Sequence, residues 1–357
     1  MTYERLNIQR STGYQPGEQP DDPSVVKLNT NENPYPPADA VMAALRSFPA
    51  DRLRRYPSPR AEAFRRTAGK MHGLEPANVI ATNGGDELLR LVITTFVEPG
   101  KPIGAAEPSY SLYPVLAEIH DSPFVSIPLE DDWSLPADFA TQLNRTRASL
   151  AFVVNPHAPS GRLTPVDQLA KIADTFSGVL VVDEAYVDFV DPNLAHDAVQ
   201  LVRQFDNVLL LRTLSKGYSL AGLRFAYGLG TPGLIQPMLE KTKDSYNTDT
   251  LAQALATAAL ESRTAAAKTW QAVRAERARL TAELTARGFQ IPPSQSNFIL
   301  ARPTGKRPDA GDLYQMLKGK GVFVRYFDQD RLRDKLRITI GSPRENDALL
   351  TAIDSHD

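Results

Sequence analysis

Seven short apolar segments between residues 79 and 230 constrain the fold of this 357-residue chain more than any other feature. Their side chains do not alternate between apolar and polar, and amphipathic helical stretches separate them. Such strands are typical of a mostly parallel sheet that has helices on both faces. The sequence therefore predicts an α/β fold with a seven-stranded, mostly parallel sheet flanked by helices. The segments are VIAT (79–82), IGAA (103–106), FVSI (124–127), SLAFVV (149–154), GVLVV (178–182), NVLLL (207–211) and FAYGL (225–229).

The rest of the chain predicts a second, smaller domain. Residues 1–37 are polar and proline-rich, which indicates an extended arm. Residues 248–288 are rich in Ala, Leu, Glu and Arg and predict one or two long helices. The apolar segments and helical stretches that follow, among them the continuous string VFVRYF (322–327), indicate an α+β layer. We assign the arm and part of the small domain to residues 1–50, the large domain to 51–262 and the small C-terminal domain to 263–357.

Composition excludes several classes of function. The net charge of −2 provides no overall field to attract nucleic acid or an acidic membrane. Cysteine is absent, which excludes disulfides and thiolate chemistry. The five histidines lack metal-ligand spacing, so we expect no metal site. The N-terminal sequence lacks the apolar core of a signal peptide, and no run approaches the roughly 20 apolar residues of a membrane span. We therefore expect a soluble, cytoplasmic protein.

Polar side chains follow three of the apolar segments. Asn155 follows 149–154, Asp183 follows 178–182, and Lys216 lies shortly after 207–211. Open α/β sheets bind their ligands at the carboxyl ends of parallel strands. An amide, an acid and an amine at this edge suit an aromatic cofactor that forms a Schiff base with lysine. We predict that this cofactor is pyridoxal phosphate.

Two strings predict a site for the cofactor phosphate. In TNGGDELLRLVITTF (82–96), a helix follows two glycines, and Gly85 and Asp86 lie at its start. The free N–H groups and the dipole of such a helix start attract anions. The second string surrounds Lys216, and its hydroxyls and guanidinium could hold a phosphate dianion. These flanking residues are Thr213, Ser215 and Arg224.

Other side chains predict contacts with the cofactor ring. Asp183 would keep a pyridine nitrogen protonated and so strengthen its withdrawal of electrons. Tyr186 could reach the ring hydroxyl. Tyr110, on the loop after the segment 103–106, could stack on the ring.

Six strings, in order along nearly the whole chain, resemble those of the fold-type-I pyridoxal phosphate aminotransferases. The resemblance is closest to the histidinol-phosphate aminotransferase branch. Single strings are weak evidence, whereas six in order are strong. They are LNTNENPYPP (28–37), RYPSP (55–59), RTLSKGYSLAGLRFAYG (212–228), YNTDTLAQ (246–253), SNFIL (296–300) and LRITIG (336–341).

The resemblance implies a role for each candidate residue toward the cofactor. Lys216 would bind the cofactor covalently and carry the substrate Cα proton. Asp183 would pair with the pyridine nitrogen, Asn155 and Tyr186 would bond the ring hydroxyl, and Tyr110 would stack on the ring. The implied phosphate ligands are the backbone at Gly85 and Asp86, the side chains of Thr213, Ser215 and Arg224, and Tyr56 from a neighbouring subunit. The last of these implies a homodimer.

The resemblance also implies the substrates. Arg337 would bind the carboxylate of glutamate or the phosphate of histidinol phosphate, with Arg325 and Tyr14 as further phosphate contacts. Asn155 belongs to the substrate set as well. The implied reaction is transamination of histidinol phosphate with 2-oxoglutarate, which yields imidazole-acetol phosphate and glutamate in histidine biosynthesis. An aromatic amino-acid aminotransferase and a threonine-phosphate decarboxylase are alternatives on the same fold.

Two further points bear on function. The string NPHAPSG (155–161) departs from the family, which more often has two asparagines between the prolines. We expect its His157 to be a solvent-facing turn residue.

A non-catalytic regulator of this fold would need a DNA-binding segment before the arm and would not need the lysine, acid and arginines. We therefore favour an enzyme.

Overall fold

A computed structural model describes residues 2–305 and 308–355. The helices in these residues are α1 (Leu6–Arg10), α2 (Asp39–Arg46), α3 (Glu62–His72), α4 (Gly85–Phe96), α5 (Leu112–Ile119), α6 (Phe139–Arg145), α7 (Val166–Thr175), α8 (Val199–Gln204), α9 (Pro232–Pro237), α10 (Thr250–Glu261), α11 (Arg263–Ala286), α12 (Ala310–Gly319) and α13 (Pro343–Asp354). The strands are β1 (Val26–Lys27), β2 (Val79–Thr82), β3 (Ile103–Glu107), β4 (Phe124–Pro128), β5 (Leu150–Val154), β6 (Val179–Asp183), β7 (Val208–Thr213), β8 (Ala226–Gly230), β9 (Phe289–Gln290), β10 (Phe298–Pro303), β11 (Val322–Phe323), β12 (Arg325–Tyr326) and β13 (Leu336–Thr339). Short helical turns, most of them 3₁₀, lie at Ala50–Arg54, Pro76–Asn78, Val187–Phe189, Pro192–Leu194, Ala221–Leu223 and Met238–Thr242.

The predicted large sheet is confirmed. Its seven strands lie in the order β2-β8-β7-β6-β5-β3-β4. Strand β8 runs antiparallel to both of its neighbours, whereas the other pairs are parallel. Every residue of β2, β5 and β8 is buried, because helices cover both faces of the sheet. This double cover explains why the segments are apolar without alternation.

The parallel register places the predicted strand-end residues at one edge. Val154 of β5 pairs with Asp183 of β6, and Asp183 in turn pairs with Leu211 of β7. Strands β2 and β7 both run antiparallel to β8, so they point the same way. The turn into α4 therefore opens on the same edge as the segment that carries Lys216.

The C-terminal part forms the predicted α+β layer. Strands β12, β13, β10 and β9 make a four-stranded antiparallel sheet. Helix α11 packs against β9, β10 and α13. The arm joins this layer, because β1 pairs in parallel with β11 and the Leu28 carbonyl accepts a hydrogen bond from Thr339 N at 3.0 Å. The domain boundaries at residues 50 and 262 stay predictions.

One apolar segment differs from the expectation. The string VFVRYF (322–327) splits into β11 and β12, which belong to different sheets. The first pairs with the arm and the second with β13, so a continuous pattern in the sequence serves two partners. Among the described residues, no helix is both long and apolar enough for a membrane span.

Candidate active site

A cavity of about 280 Å³ lies where the carboxyl edge of the large sheet faces the arm and the small sheet. The predicted site residues that line it are Tyr14, Gly85, Asp86, Tyr110, Asp183, Tyr186, Thr213, Ser215, Lys216, Arg224, Arg325 and Arg337. Asn155 and Tyr56 are not among the residues that line it. Segments distant in sequence thus converge on one site.

Lys216 lies three residues beyond β7, and its Nζ donates a hydrogen bond to the Thr30 carbonyl at 2.9 Å. Burial, together with the positive charge of Arg337, lowers the pKa of this amine to about 8, and Glu32 opposes the shift. The next residue is held in place, since the Gly217 carbonyl accepts a hydrogen bond from Trp270 Nε1 at 2.6 Å. The amine is therefore oriented, and it gives up its proton more readily near physiological pH than an ordinary lysine does.

Asp183 ends β6 and is 5% exposed. Its carboxylate accepts hydrogen bonds from Tyr113 Oη at 2.9 Å and from Ala185 N at 3.0 Å. Burial raises the pKa of Asp183 to about 6, and the bond from Tyr113 opposes that rise. Tyr113 is itself held by Phe152, whose ring stacks on it at a centroid distance of 4.4 Å. The carboxylate of Asp183 is thus desolvated, and its two hydrogen bonds stabilise its charge and fix its orientation.

The turn between β2 and α4 forms an anion cradle with Arg224. Gly84 has a φ of +81°, a backbone conformation that favours glycine, and a Cβ there would also push the Arg224 guanidinium aside, since it would lie 2.7 Å from Arg224 Nη2. The Arg224 guanidinium lies 3.8 Å from the Asp86 carboxylate. Thr213 Oγ1 donates a hydrogen bond to Ser215 Oγ at 3.0 Å. Hydroxyls, a guanidinium and a helix start therefore surround one corner of the cavity, as a phosphate requires.

Tyrosines form a further wall. The rings of Tyr14 and Tyr110 meet edge to face at 5.8 Å, and Tyr110 packs in the same way on Tyr113 at 5.5 Å. Tyr186 accepts a hydrogen bond at Oη from Asn31 Nδ2 at 3.0 Å. Burial raises the pKa of Tyr186, so its phenol keeps its proton at neutral pH.

Two arginines of the small sheet face these groups. Arg337 Nη2 donates to the Asn29 carbonyl at 2.8 Å, and the guanidinium packs over Phe298 and Phe327 at 5.5 and 5.4 Å. Arg325 packs over Phe327 as well, at 5.0 Å. Arg337 Nε is buried and has no hydrogen-bond partner among the described residues. A buried, charged donor without an acceptor is costly, so the site suits an anionic ligand.

Asn155 does not reach the cavity wall. It is fully buried, its Nδ2 donates to the Thr164 carbonyl at 3.1 Å, and its Oδ1 accepts from Thr164 N at 2.7 Å. Its amide thus fixes the loop after β5. Tyr56 is 81% exposed and stacks on Tyr246 at 4.4 Å. The roles of both residues toward a cofactor stay predictions.

The expectation for His157 is wrong, because this residue is 5% exposed rather than solvent-facing. Its Nδ1 bonds Ser160 Oγ at 2.7 Å, and its Nε2 bonds the Pro108 carbonyl at 3.0 Å. Burial lowers its pKa to about 4, so the ring is neutral. It joins the loop after β5 to the loop that carries Tyr110.

Several residues in or beside the cavity carried no prediction from sequence. Tyr113 lies behind Asp183, and its position on α5, three residues after Tyr110, was the available signal. Asn29, Thr30 and Asn31 lie in LNTNENPYPP, which served only for the resemblance. No group of side chains suited to a metal ion occurs among residues 2–305 and 308–355.

The comparisons with known proteins agree with this geometry. Residues 23–353 match the family model of aminotransferase class I and II. Histidinol-phosphate aminotransferase 1 of Nostoc sp. is 42% identical over 352 residues, which cover 98% of this chain and 97% of that protein. The histidinol-phosphate aminotransferase of Geobacter sulfurreducens is 40% identical over 353 residues, which cover 98% of both chains.

The solved structures show the same fold. The crystal structure of histidinol-phosphate aminotransferase from Sinorhizobium meliloti in complex with pyridoxal-5'-phosphate has a TM-score of 0.86 at 26% identity, covering 93% of this chain and 92% of that one. Aspartate aminotransferase from Thermus thermophilus with maleate has a TM-score of 0.77 at 19% identity, covering 93% and 91%. The chain therefore belongs to the aminotransferase class I and II family, in its histidinol-phosphate aminotransferase branch.

Proposed function

We propose that this protein transaminates histidinol phosphate with 2-oxoglutarate, giving imidazole-acetol phosphate and glutamate. One observation carries the proposal: a single cavity is lined by Lys216, with its buried amine, by Asp183, with its buried carboxylate, and by Arg337, whose Nε has no hydrogen-bond partner within residues 2–305 and 308–355. Full-length relatives named histidinol-phosphate aminotransferase support the choice of substrate.

The residues of the cavity fit pyridoxal phosphate, which the Sinorhizobium meliloti neighbour contains. Lys216 would hold its aldehyde carbon, Asp183 its ring nitrogen, and Tyr186 its ring oxygen. The anion cradle around Gly85 and Arg224 would hold its phosphate. When bound, this cofactor supplies an electron sink that makes the substrate Cα–H bond acidic.

Lys216 would carry the proton of the reaction. A general base works best when its pKa lies close to the working pH, and burial has lowered that of Lys216 to about 8. The bond from its Nζ to the Thr30 carbonyl directs the amine within the cavity. The amine would thus take a proton from the Cα of the amino donor in one half-reaction and give a proton to the Cα of the acceptor in the other.

Asp183 would hold a proton on the ring nitrogen. Its carboxylate is desolvated, which strengthens its pairing with a cationic N–H. Tyr113 and Ala185 fix both of its oxygens, so the acid does not have to reorganise during the reaction.

Arg337 and Arg325 would bind the anionic end of each substrate. The guanidinium fork matches both a carboxylate and a phosphate. One arginine can therefore serve glutamate in one half-reaction and histidinol phosphate in the other. This exchange at a single site predicts ping-pong kinetics.

The proposal includes a cytoplasmic homodimer. The exposed pair Tyr56 and Tyr246, together with the 61% exposed Leu53, offers apolar surface for a partner. In such a dimer Tyr56 would reach the cofactor phosphate of the neighbouring subunit.

The test is a set of steady-state assays on the cofactor-loaded protein. Amino groups are offered as histidinol phosphate, phenylalanine or threonine phosphate, and glutamate and carbon dioxide are both measured. We expect glutamate formation with the highest kcat/KM for histidinol phosphate. Higher kcat/KM for phenylalanine would identify an aromatic aminotransferase, and carbon dioxide release from threonine phosphate would identify a decarboxylase.

A further inference from the structure

We propose that Asn31 is a positioning residue that directs the hydroxyl proton of Tyr186 into the cavity. The inference rests on the proposed function, in which Tyr186 faces the ring oxygen of the cofactor. Asn31 acts through Tyr186, in a buried chain of hydrogen bonds that begins at Thr339 of the small sheet.

The chain has three links. Asn31 is 1% exposed, and its backbone N–H donates to Thr339 Oγ1 at 3.0 Å. Thr339 Oγ1 donates in turn to Asn31 Oδ1, also at 3.0 Å. Asn31 Nδ2 then donates to Tyr186 Oη at 3.0 Å. The φ of +57° at Asn31, a left-handed conformation that asparagine adopts more readily than most residues, turns the side chain toward both partners.

The three links have consistent directions. A backbone N–H can only donate, so the Thr339 hydroxyl accepts that bond with one lone pair and gives its single proton to Asn31 Oδ1. The amide oxygen therefore faces Thr339, and the amide nitrogen faces Tyr186 and donates to it. Because the phenol oxygen accepts there, its own proton points away from Asn31, toward the cavity that Tyr186 lines.

This direction matters for an anionic ligand atom. A phenol that presents its proton stabilises a negatively charged oxygen, whereas one that presents a lone pair repels it. Asn31 is further held by Asn297 Nδ2, which donates to its main-chain carbonyl at 2.9 Å. Thr339 lies two residues after Arg337 on the same strand, so β13 sets both the anion-binding arginine and the phenol direction.

The first test examines Tyr186 without any cofactor. The protein is labelled with tyrosine carrying ¹³C at Cζ, and Tyr186→Phe assigns the resonance. Asn31→Asp places an acceptor where the amide donated, and Thr339→Val removes the group that orients the amide. We expect both substitutions to shift the Tyr186 resonance. Asn297→Ala is the matched control, since it removes a buried bond to Asn31 but leaves the three links intact, and it should leave the resonance in place.

Two outcomes of this test would overturn the proposal. One is an unchanged Tyr186 resonance in both Asn31→Asp and Thr339→Val. The other is an equal shift in Asn297→Ala, which would show that any loss of packing around Asn31 moves the signal. Neither outcome depends on which cofactor or substrate the protein uses, so they are separate from a failure of the proposed function.

The second test uses the cofactor-loaded protein and the uncharged, similarly sized substitution Asn31→Leu. Loss of a directed neutral hydrogen bond should raise the dissociation constant of pyridoxal phosphate roughly three- to ten-fold. The pH midpoint of the bound cofactor's visible absorbance should also move, in the same direction as in Tyr186→Phe. The charged or titratable groups that interact electrostatically with Tyr186 include Arg337, Asp183, Tyr14, Tyr110 and Tyr113, and none of them is altered.

A double-mutant cycle decides the matter. In the Tyr186→Phe background, Asn31→Leu should add little further loss of binding, because no hydroxyl remains to be directed. An equal loss in both backgrounds would refute the proposal. If Tyr186→Phe itself changes neither the dissociation constant nor the absorbance, the assignment of Tyr186 in the proposed function fails, and with it the basis of the inference.

Discussion

The two walls of the cavity are built in different ways. The wall on the large sheet carries Asp183 and Lys216 at or just beyond the ends of buried parallel strands. The opposite wall is assembled from the arm and the small sheet. There Arg337 bonds Asn29, and Thr339 bonds Asn31, each across 308 positions of sequence.

This difference separates chemistry from recognition. Strand ends in one hydrogen-bonded sheet have little freedom to move relative to one another, which suits groups that must act on the same bond. The other wall depends on packing between distant segments, and it holds the groups that would bind the variable part of a substrate. Substitutions of Asp183 or Lys216 on the first wall should change kcat and the cofactor spectrum, whereas substitutions of the anion-binding arginines on the second wall should change KM.

The largest effect is expected on the sheet wall. Lys216→Ala should abolish turnover and the visible absorbance of covalently bound cofactor, because it removes both the anchor and the proton carrier. Turnover and absorption spectra after addition of cofactor measure this. Lys171→Ala, at an exposed lysine of α7, is the control and should leave both unchanged. Measurable turnover in Lys216→Ala would contradict the assignment.

Asp183→Asn should retain cofactor but lower kcat by about 10²-fold or more, because a neutral amide cannot stabilise a proton on the ring nitrogen. Kinetics under saturating cofactor give this number. An unchanged kcat would show that Asp183 does not hold the ring nitrogen.

The same substitution should stabilise the cofactor-free protein at pH 7. Burial raises the pKa of Asp183 to about 6, above its value in the unfolded chain. Its favourable contribution is therefore present below about pH 4 and is lost as the pH rises through 6. At pH 7 the buried carboxylate costs free energy, so Asp183→Asn should gain about 1–3 kcal/mol. Thermal unfolding at pH 4 and pH 7 tests this, with a gain expected only at the higher pH.

The opposite wall should respond differently. Arg337→Ala should raise KM for both glutamate and histidinol phosphate by about 10- to 100-fold, which is the range for a charged hydrogen bond. The absorbance of the bound cofactor should stay unchanged. Arg333→Ala, at a 60% exposed arginine that pairs with Asp330, serves as the control. An effect on only one of the two substrates would disprove the shared anion site.

The smallest effect concerns support of the sheet wall. Tyr113→Phe removes a bond that favours the carboxylate form of Asp183, so the pKa of Asp183 should rise further above about 6. The acid limb of the kcat–pH profile should move to higher pH, with kcat at pH 8 falling less than about ten-fold. Tyr227→Phe loses a similarly buried hydroxyl, one bonded to His72, and should leave that limb in place. A common shift in both variants would mean that Tyr113 has no specific role.

The two walls also differ in how far sequence alone could predict them. Each strand of the large sheet appears in the chain as a short apolar run, and burial on both faces explains this for every strand except the edge strand β4. The polar residues after those runs were therefore visible. The roles of Asn155 and Tyr56 stay predictions. The Asn155 amide bonds Thr164 of its own loop, and the exposed Tyr56 ring stacks on Tyr246.

Strand partners and the burial of loop residues could not be predicted from the sequence. The segment 322–327 appeared continuous, yet it serves two sheets, since pairing partners are a property of the folded chain. His157 appeared to be a turn residue in solvent, yet Trp133 packs against it and the Pro108 carbonyl accepts a hydrogen bond from its Nε2. A short polar loop does not reveal which surface will cover it.

The sequence by itself determined the mostly parallel sheet, the polar residues that follow its strands, and the family. Local sequence patterns are sufficient to indicate all three. Only the tertiary structure decided that Tyr113 donates to Asp183, that Asn31 donates to Tyr186, and that Arg337 donates to the Asn29 carbonyl. These contacts join residues 70, 155 and 308 positions apart. Their geometry depends on how layers pack, and no local pattern encodes that packing.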